Sequence, residues 1–221
     1  MVKHQDYKEN KLKYLKPELL YTILFQFTTL VGGLLLIKLL AVSLSTHDYG
    51  YYALITSIIA LVLMFPFSAL MQGVSRYVSI YQKRLEYKSF FTSTILGFLS
   101  LSMIYVLLAL SLNIFMSLDD NWNDIYMPIV FLTLLEVLKV FYRTVNNANR
   151  ERKNLFLSVL SEFTIKLILI GSVYLLGYVN IKTILYVFIL ANFTSILIMS
   201  YKNKAYFDIS SVNVKKVKYF F

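Results

Sequence analysis

Apolar residues run along this chain in long unbroken stretches separated by short polar ones. Residues 19–37, 49–75, 89–118 and 183–201 contain no Asp, Glu, Lys or Arg. Residues 125–148 and 154–178 are equally apolar, apart from a few charges set inside them. A helix needs about 20 such residues to cross about 30 Å of hydrocarbon, and it satisfies its own backbone groups on the way. The pattern predicts six spanning helices, over 17–43, 49–73, 89–117, 125–148, 154–178 and 181–201. The expected fold class is therefore all-α integral membrane, a six-transmembrane-helix bundle.

Proline and glycine refine these elements. Pro17 and Pro128 are expected in the first turn of helices one and four, where a missing N–H costs nothing. Pro66 falls inside helix two and is expected to kink it. Gly32 and Gly33 leave a smooth patch on helix one for close packing. Trp122, Tyr126, Tyr51, Tyr52, Tyr178 and Tyr201 fall near the ends of the spans, where an aromatic belt is expected.

Composition agrees with this class: 58% of residues are hydrophobic and 15% charged, against about 25% charged in soluble domains. Among 221 residues, six spans leave no room for a separate soluble domain. The chain has no cysteine, which excludes disulfides and thiolate metal sites. His4 and His47 lie at opposite ends of the first helix, so a histidine metal centre within one chain is not expected. The N-terminus is basic, but the apolar run behind it is too long for a cleaved signal. It is expected to remain as the first helix.

The net charge of +10 gains its meaning from its placement. Lys3, Lys8, Lys11, Lys13 and Lys16 precede helix one, and residues 43–49 behind it carry no Lys or Arg. Arg76, Lys83, Arg84 and Lys88 mark the next connection, whereas 117–124 is acidic. Arg150, Arg152 and Lys153 follow helix four, Lys182 stands alone before helix six, and Lys202, Lys204, Lys215, Lys216 and Lys218 come after it. Basic residues alternate with each crossing of this multi-pass chain, so both termini are expected in the cytoplasm. Anionic headgroups account for the positive balance, with no need of nucleic acid. The basic segment 202–221 is expected to lie on the cytoplasmic membrane surface.

Charges inside the hydrocarbon are the sharpest pointers to chemistry. Helix four carries Glu136, Lys139 and Arg143, and helix five carries Ser158, Glu162 and Lys166. Their spacings of three and four place each set on one helical face. At a rise of about 1.5 Å per residue, Glu136 and Lys166 share a depth of about 18 Å from the cytoplasmic end. Lys139 and Glu162 share one of about 12–14 Å. Two cross-helix ion pairs are therefore predicted, Glu136 with Lys166 and Lys139 with Glu162. Such pairs either fix the packing of a helical hairpin or line a wet cavity for an anionic substrate or coupling ion. Arg143 has no depth-matched partner, and its planar donor fork suits a phosphate. Lys38 is expected to snorkel to the interface. Over the spans, Lys38, Lys139, Arg143 and Lys166 outnumber Glu136 and Glu162, so a cavity built from these faces is mildly cationic.

No Ser/His/Asp grouping, P-loop or dinucleotide fingerprint is present, so neither catalysis nor a cofactor is expected. Asp119, Asp120 and Asp124 could hold a divalent cation, but a solvated external loop is the simpler expectation.

Residues 34–82 (LLLIKLLAVSLSTHDYGYYALITSIIALVLMFPFSALMQGVSRYVSIYQ) resemble the start of bacterial polysaccharide flippases of the O-antigen or capsule type. These belong to the multidrug/oligosaccharidyl-lipid/polysaccharide exporter superfamily. The likeness rests on the long first helix, the outer loop ending in Tyr49-Gly50-Tyr51-Tyr52-Ala53, and Gly73 followed by Arg76-Tyr77. Residues 145–170 (VNNANRERKNLFLSVLSEFTIKLILI) are similar to the family's turn between helices four and five. The resemblance implies alternating-access transport of a polyprenyl-pyrophosphate-linked oligosaccharide, with Arg76, Lys139, Arg143 and Lys166 as candidate substrate-binding cations. It implies a second six-helix lobe as partner, supplied by another copy or another polypeptide, because such transporters close two lobes around one path. The chain is thus expected to be the amino-terminal half. A multidrug exporter of the same architecture and a non-transporting scaffold are the alternatives. A membrane glycan polymerase is disfavoured by the short outer loops.

Overall fold

The computed structural model describes residues 2–83, 86–116 and 120–203, and every described element is helical. The elements are α1 (Val2–Ser43), α2 (Thr46–Val62), a π-helical turn (Leu63–Phe67), α3 (Ser68–Lys83), α4 (Tyr87–Met116), α5 (Asp120–Ala148), α6 (Arg152–Leu175) and α7 (Ile181–Asn203). Six of the helical stretches are long and apolar enough to cross a membrane: Lys16–Ser43, Thr46–Phe65, Tyr87–Ser111, Asp124–Ala148, Arg152–Leu175 and Ile181–Tyr201. The chain is a multi-pass membrane protein. The proposed surface segment beyond Asn203 and the loop residue Asp119 lie outside the described residues.

Local chemistry sets the ends of these helices. Ser45 caps α2, accepting a hydrogen bond from the Asp48 amide at 3.1 Å while its hydroxyl donates to the Asp48 carboxylate at 3.0 Å. The α6 helix stops at Leu175, before the expected 178, because Gly177 takes φ +75. The Tyr178 amide donates back to the Val173 carbonyl, closing the left-handed cap that glycine adopts without a Cβ penalty. Asn180 then caps α7 through the Thr183 amide at 2.8 Å.

The prolines depart from their expected places. Pro17 and Pro128 lie inside α1 and α5, not in their first turns. Both sit at the start of the membrane-crossing part, after Lys16 and after Asp124. The helices begin earlier than the apolar run does, and the bond lost at each proline falls near water. Pro66 does break its helix. Phe65, the residue before it, takes φ −126 and ψ 123, the extended geometry that proline favours in the residue preceding it. The expected helix 49–73 is in fact two arms joined at this turn. The second arm, α3, is amphipathic: Met71, Val74 and Val78 are buried while Gln72, Ser75 and Arg76 are exposed.

Two apolar cores result. One fills the acidic end, with Leu36, Leu40, Ile55, Ile129, Ile184 and Phe188 from α1, α2, α5 and α7, and Ile170 from α6. The other joins α3, α4 and the second half of α5 at the basic end, through Phe67, Val78, Phe91, Phe98 and Phe141. The α1 helix packs on α6, α6 on α7 and α7 on α5, while α3 and α4 also pack on α5. A Cβ built on Gly32 would lie 2.6 Å from Cγ of Phe163, so glycine is what lets α1 approach α6. Gly33 meets nothing and plays no such part. The expected aromatic belt divides: Tyr178 and Tyr201 are exposed, whereas Tyr51, Tyr52 and Trp122 pack against the first core.

Candidate functional site

The polar faces of α5 and α6 meet within the bundle, and α7 joins them. Lys139 of α5 donates to Glu162 of α6 at 2.9 Å, the cross-helix pair that the depth matching predicts. It also donates to Glu136 on its own helix at 2.9 Å and to Asn192 Oδ1 of α7 at 2.8 Å. The predicted pair of Glu136 with Lys166 does not form. Glu136 instead accepts from Lys139 and from the Asn192 amide at 2.8 Å. Lys166 turns along its own helix to Glu162 at 2.6 Å, and its ammonium lies 4.5 Å from the centre of the Phe188 ring. That aromatic face partly replaces the hydration the cation gives up.

Arg143 is not as isolated as its depth suggests. Its Nη2 lies 3.9 Å from Oε2 of Glu162, too long for a hydrogen bond. The buried Nε of Arg143 and the buried Oε2 of Glu162 have no hydrogen-bond partner. The guanidinium also sits 5.9 Å from the centre of the Phe25 ring on α1. Its side chain is 35% exposed, against 6% for Lys139 and 7% for Lys166. Of the three cations in the cluster, Arg143 is the one with donors to spare and access from outside. Three cations face two carboxylates here, so the cluster is one charge positive.

Other candidate residues stand apart. Arg76 is exposed on α3 and, among the described residues, forms no ion pair. Lys38 is exposed on α1, consistent with snorkelling. Asp124 pairs with Lys182 at 3.2 Å across the acidic end, and no group of three metal-binding side chains occurs among the described residues.

Two features of the site leave little trace in the sequence. Asn192, fully buried, lies in a run without a single charge. Its only signal is an amide in the middle of a span, where polar groups seek partners. Phe188, one turn earlier, looks like any core aromatic. At the basic end, Gln82 of α3, Asn149 of the turn after α5 and Tyr87 of α4 form a hydrogen-bonded chain, and Glu18 of α1 reaches Arg152 of α6 at 3.9 Å. These contacts tie together the helix ends at the basic side of the bundle.

Comparison with known proteins gives one match. The family model described as "Polysaccharide biosynthesis protein" covers residues 16–221, nearly the whole chain. No curated protein and no solved structure matches.

Proposed function

The chain belongs to the polysaccharide biosynthesis protein family, which gives it a role in polysaccharide biosynthesis or export, and on that premise we propose that it is one lobe of a lipid-linked oligosaccharide flippase. Its cargo is a polyprenyl-pyrophosphate-linked oligosaccharide, moved across the cytoplasmic membrane. The single observation that supports this is Arg143: a partly exposed guanidinium with an unpartnered Nε, at the margin of a cluster carrying one net positive charge. A pyrophosphate offers the planar acceptor pairs that a guanidinium binds in bidentate fashion. Lys139 and Lys166 contribute the field behind it: all three donors of Lys139 are committed inside the bundle, and the buried Lys166 is tied to Glu162. Arg76 is a second candidate contact on the exposed face of α3. One six-helix lobe cannot enclose a path, so the active transporter contains a second one, on another chain or joined to this one. The basic helix ends face the cytoplasm.

The experiment is translocation of lipid-linked oligosaccharide in membrane vesicles containing the complete transporter, read as the sugar becoming accessible to a glycosidase on the far side. Arg143→Gln is expected to cut the rate at least about tenfold, the equivalent of about 1.4 kcal/mol, with Arg143→Lys intermediate and Lys38→Gln unchanged. Full activity in Arg143→Gln would remove Arg143 from the cargo site, whereas no transport of lipid-linked oligosaccharide by the natural protein, with activity on cationic drugs instead, would replace this function with the multidrug alternative.

A further inference from the structure

Lys139 fills a place of unusual completeness. Its ammonium has three protons and meets three oxygens: Glu136 Oε1 at 2.9 Å, Glu162 Oε1 at 2.9 Å and Asn192 Oδ1 at 2.8 Å. The oxygens come from α5, α6 and α7. The orientation of Asn192 follows from the same network. Its Nδ2 donates to Glu136 at 2.8 Å, which turns its carbonyl toward the ammonium. Lys139, Glu162 and Asn192 are buried, at 5%, 4% and 0% exposed, and the Glu136 side chain is 20% exposed.

We propose that Lys139 is a tethered counter-cation, its ammonium occupying from within the chain a three-oxygen site for a small monovalent cation at the junction of α5, α6 and α7. The half-buried Glu136 carboxylate, the buried Glu162 carboxylate and an amide oxygen converge on one point; Glu162 Oε1 also accepts from Lys166 at 2.6 Å, so the charge that Lys139 supplies at this point is the one balancing Glu136. The distances are those of charge-assisted N–H···O bonds, longer than the about 2.0–2.6 Å of magnesium and calcium ligands. The arrangement therefore suits an ammonium, not a small hard divalent ion. Because the cation is covalently attached, its local concentration does not depend on the salt around the cell. Glu136 and Glu162 accordingly hold no freely exchanging sodium or potassium while Lys139 is in place. A coupling cation, if the transporter uses one, binds elsewhere. This inference is independent of the cargo, since it holds equally for a lobe that carries lipid-linked glycan and for one that does not.

The test is thermal unfolding of the purified chain in lipid nanodiscs, in sodium, potassium, methylammonium or choline chloride at equal ionic strength. The natural protein is expected to melt at the same temperature in all four. Lys139→Ala is expected to melt about 5–10 °C lower in choline, and to regain part of that loss in potassium or methylammonium, which match the 2.8–2.9 Å spacing of the vacated site better than sodium does. Equal melting of Lys139→Ala in all four salts would overturn the proposal. So would natural protein stabilised by sodium or potassium over choline, a result obtainable even if the variant cannot be purified.

Discussion

Glu162 is the residue on which the intramembrane charges converge. Its Oε1 accepts from Lys139 and Lys166, and Arg143 lies 3.9 Å from its Oε2. Removing a buried anion while leaving its cations in place is among the most destabilising changes a packed interior can suffer. Glu162→Gln is expected to cost about 2–4 kcal/mol, between values for buried pairs in soluble proteins and the smaller ones measured in membranes. Glu136→Gln should cost less, because Lys139 keeps two acceptors and the Glu136 side chain is 20% exposed. Reversible unfolding in mixed micelles of increasing denaturing detergent measures both. The spacing of these charges in sequence was enough to place them on facing stripes and to pair Lys139 with Glu162. It could not reveal Asn192, because a neutral amide has no opposite charge to be matched in depth. The rotation of α7 that presents it comes from the packing of its buried neighbours Ile184, Leu185, Phe188 and Ala191. Without Asn192 in view, Glu136 appeared to need Lys166.

At the scale of the helix, close approach is set by one residue. Gly32 faces the Phe163 ring, whereas Gly33 faces open space. Gly32→Ala is therefore expected to push α1 from α6 and lower stability by about 1–3 kcal/mol, the cost of overpacking. Gly33→Ala should be neutral or slightly stabilising, since it reduces backbone freedom in a helix. The same detergent unfolding distinguishes them, and equal effects would mean that α1 does not pack on α6 as described. The two glycines are adjacent and cannot be told apart from sequence, because the choice depends on which face of α1 meets α6. Helix existence was legible throughout, since an apolar run of this length in lipid has few other options. The ends were not. Pro17 and Pro128 mark where hydrocarbon begins, but the helices continue into the interface, where water can take over the missing backbone bonds. The break at Phe65 was legible because Pro66 stands well inside its apolar run, where the residue before a proline is biased out of the helix and a lost backbone bond falls far from water.

At the scale of the whole molecule, the bundle separates two jobs. The apolar cores at either end hold the helices together, and the polar seam between α5, α6 and α7 gathers charge that lipid would not tolerate. Within that seam Lys139 and Lys166 are spent on internal partners, and Arg143 alone keeps unsatisfied donors together with exposure. That division is the central claim, and binding tests it more directly than transport does, because binding needs no coupling energy. The measurement is the affinity of the purified chain in nanodiscs for farnesyl pyrophosphate, with farnesol as the uncharged control. The account predicts that Arg143→Gln weakens pyrophosphate binding at least about tenfold and leaves farnesol unchanged, while Arg143→Lys recovers part of the loss. Undiminished pyrophosphate binding by Arg143→Gln would contradict it.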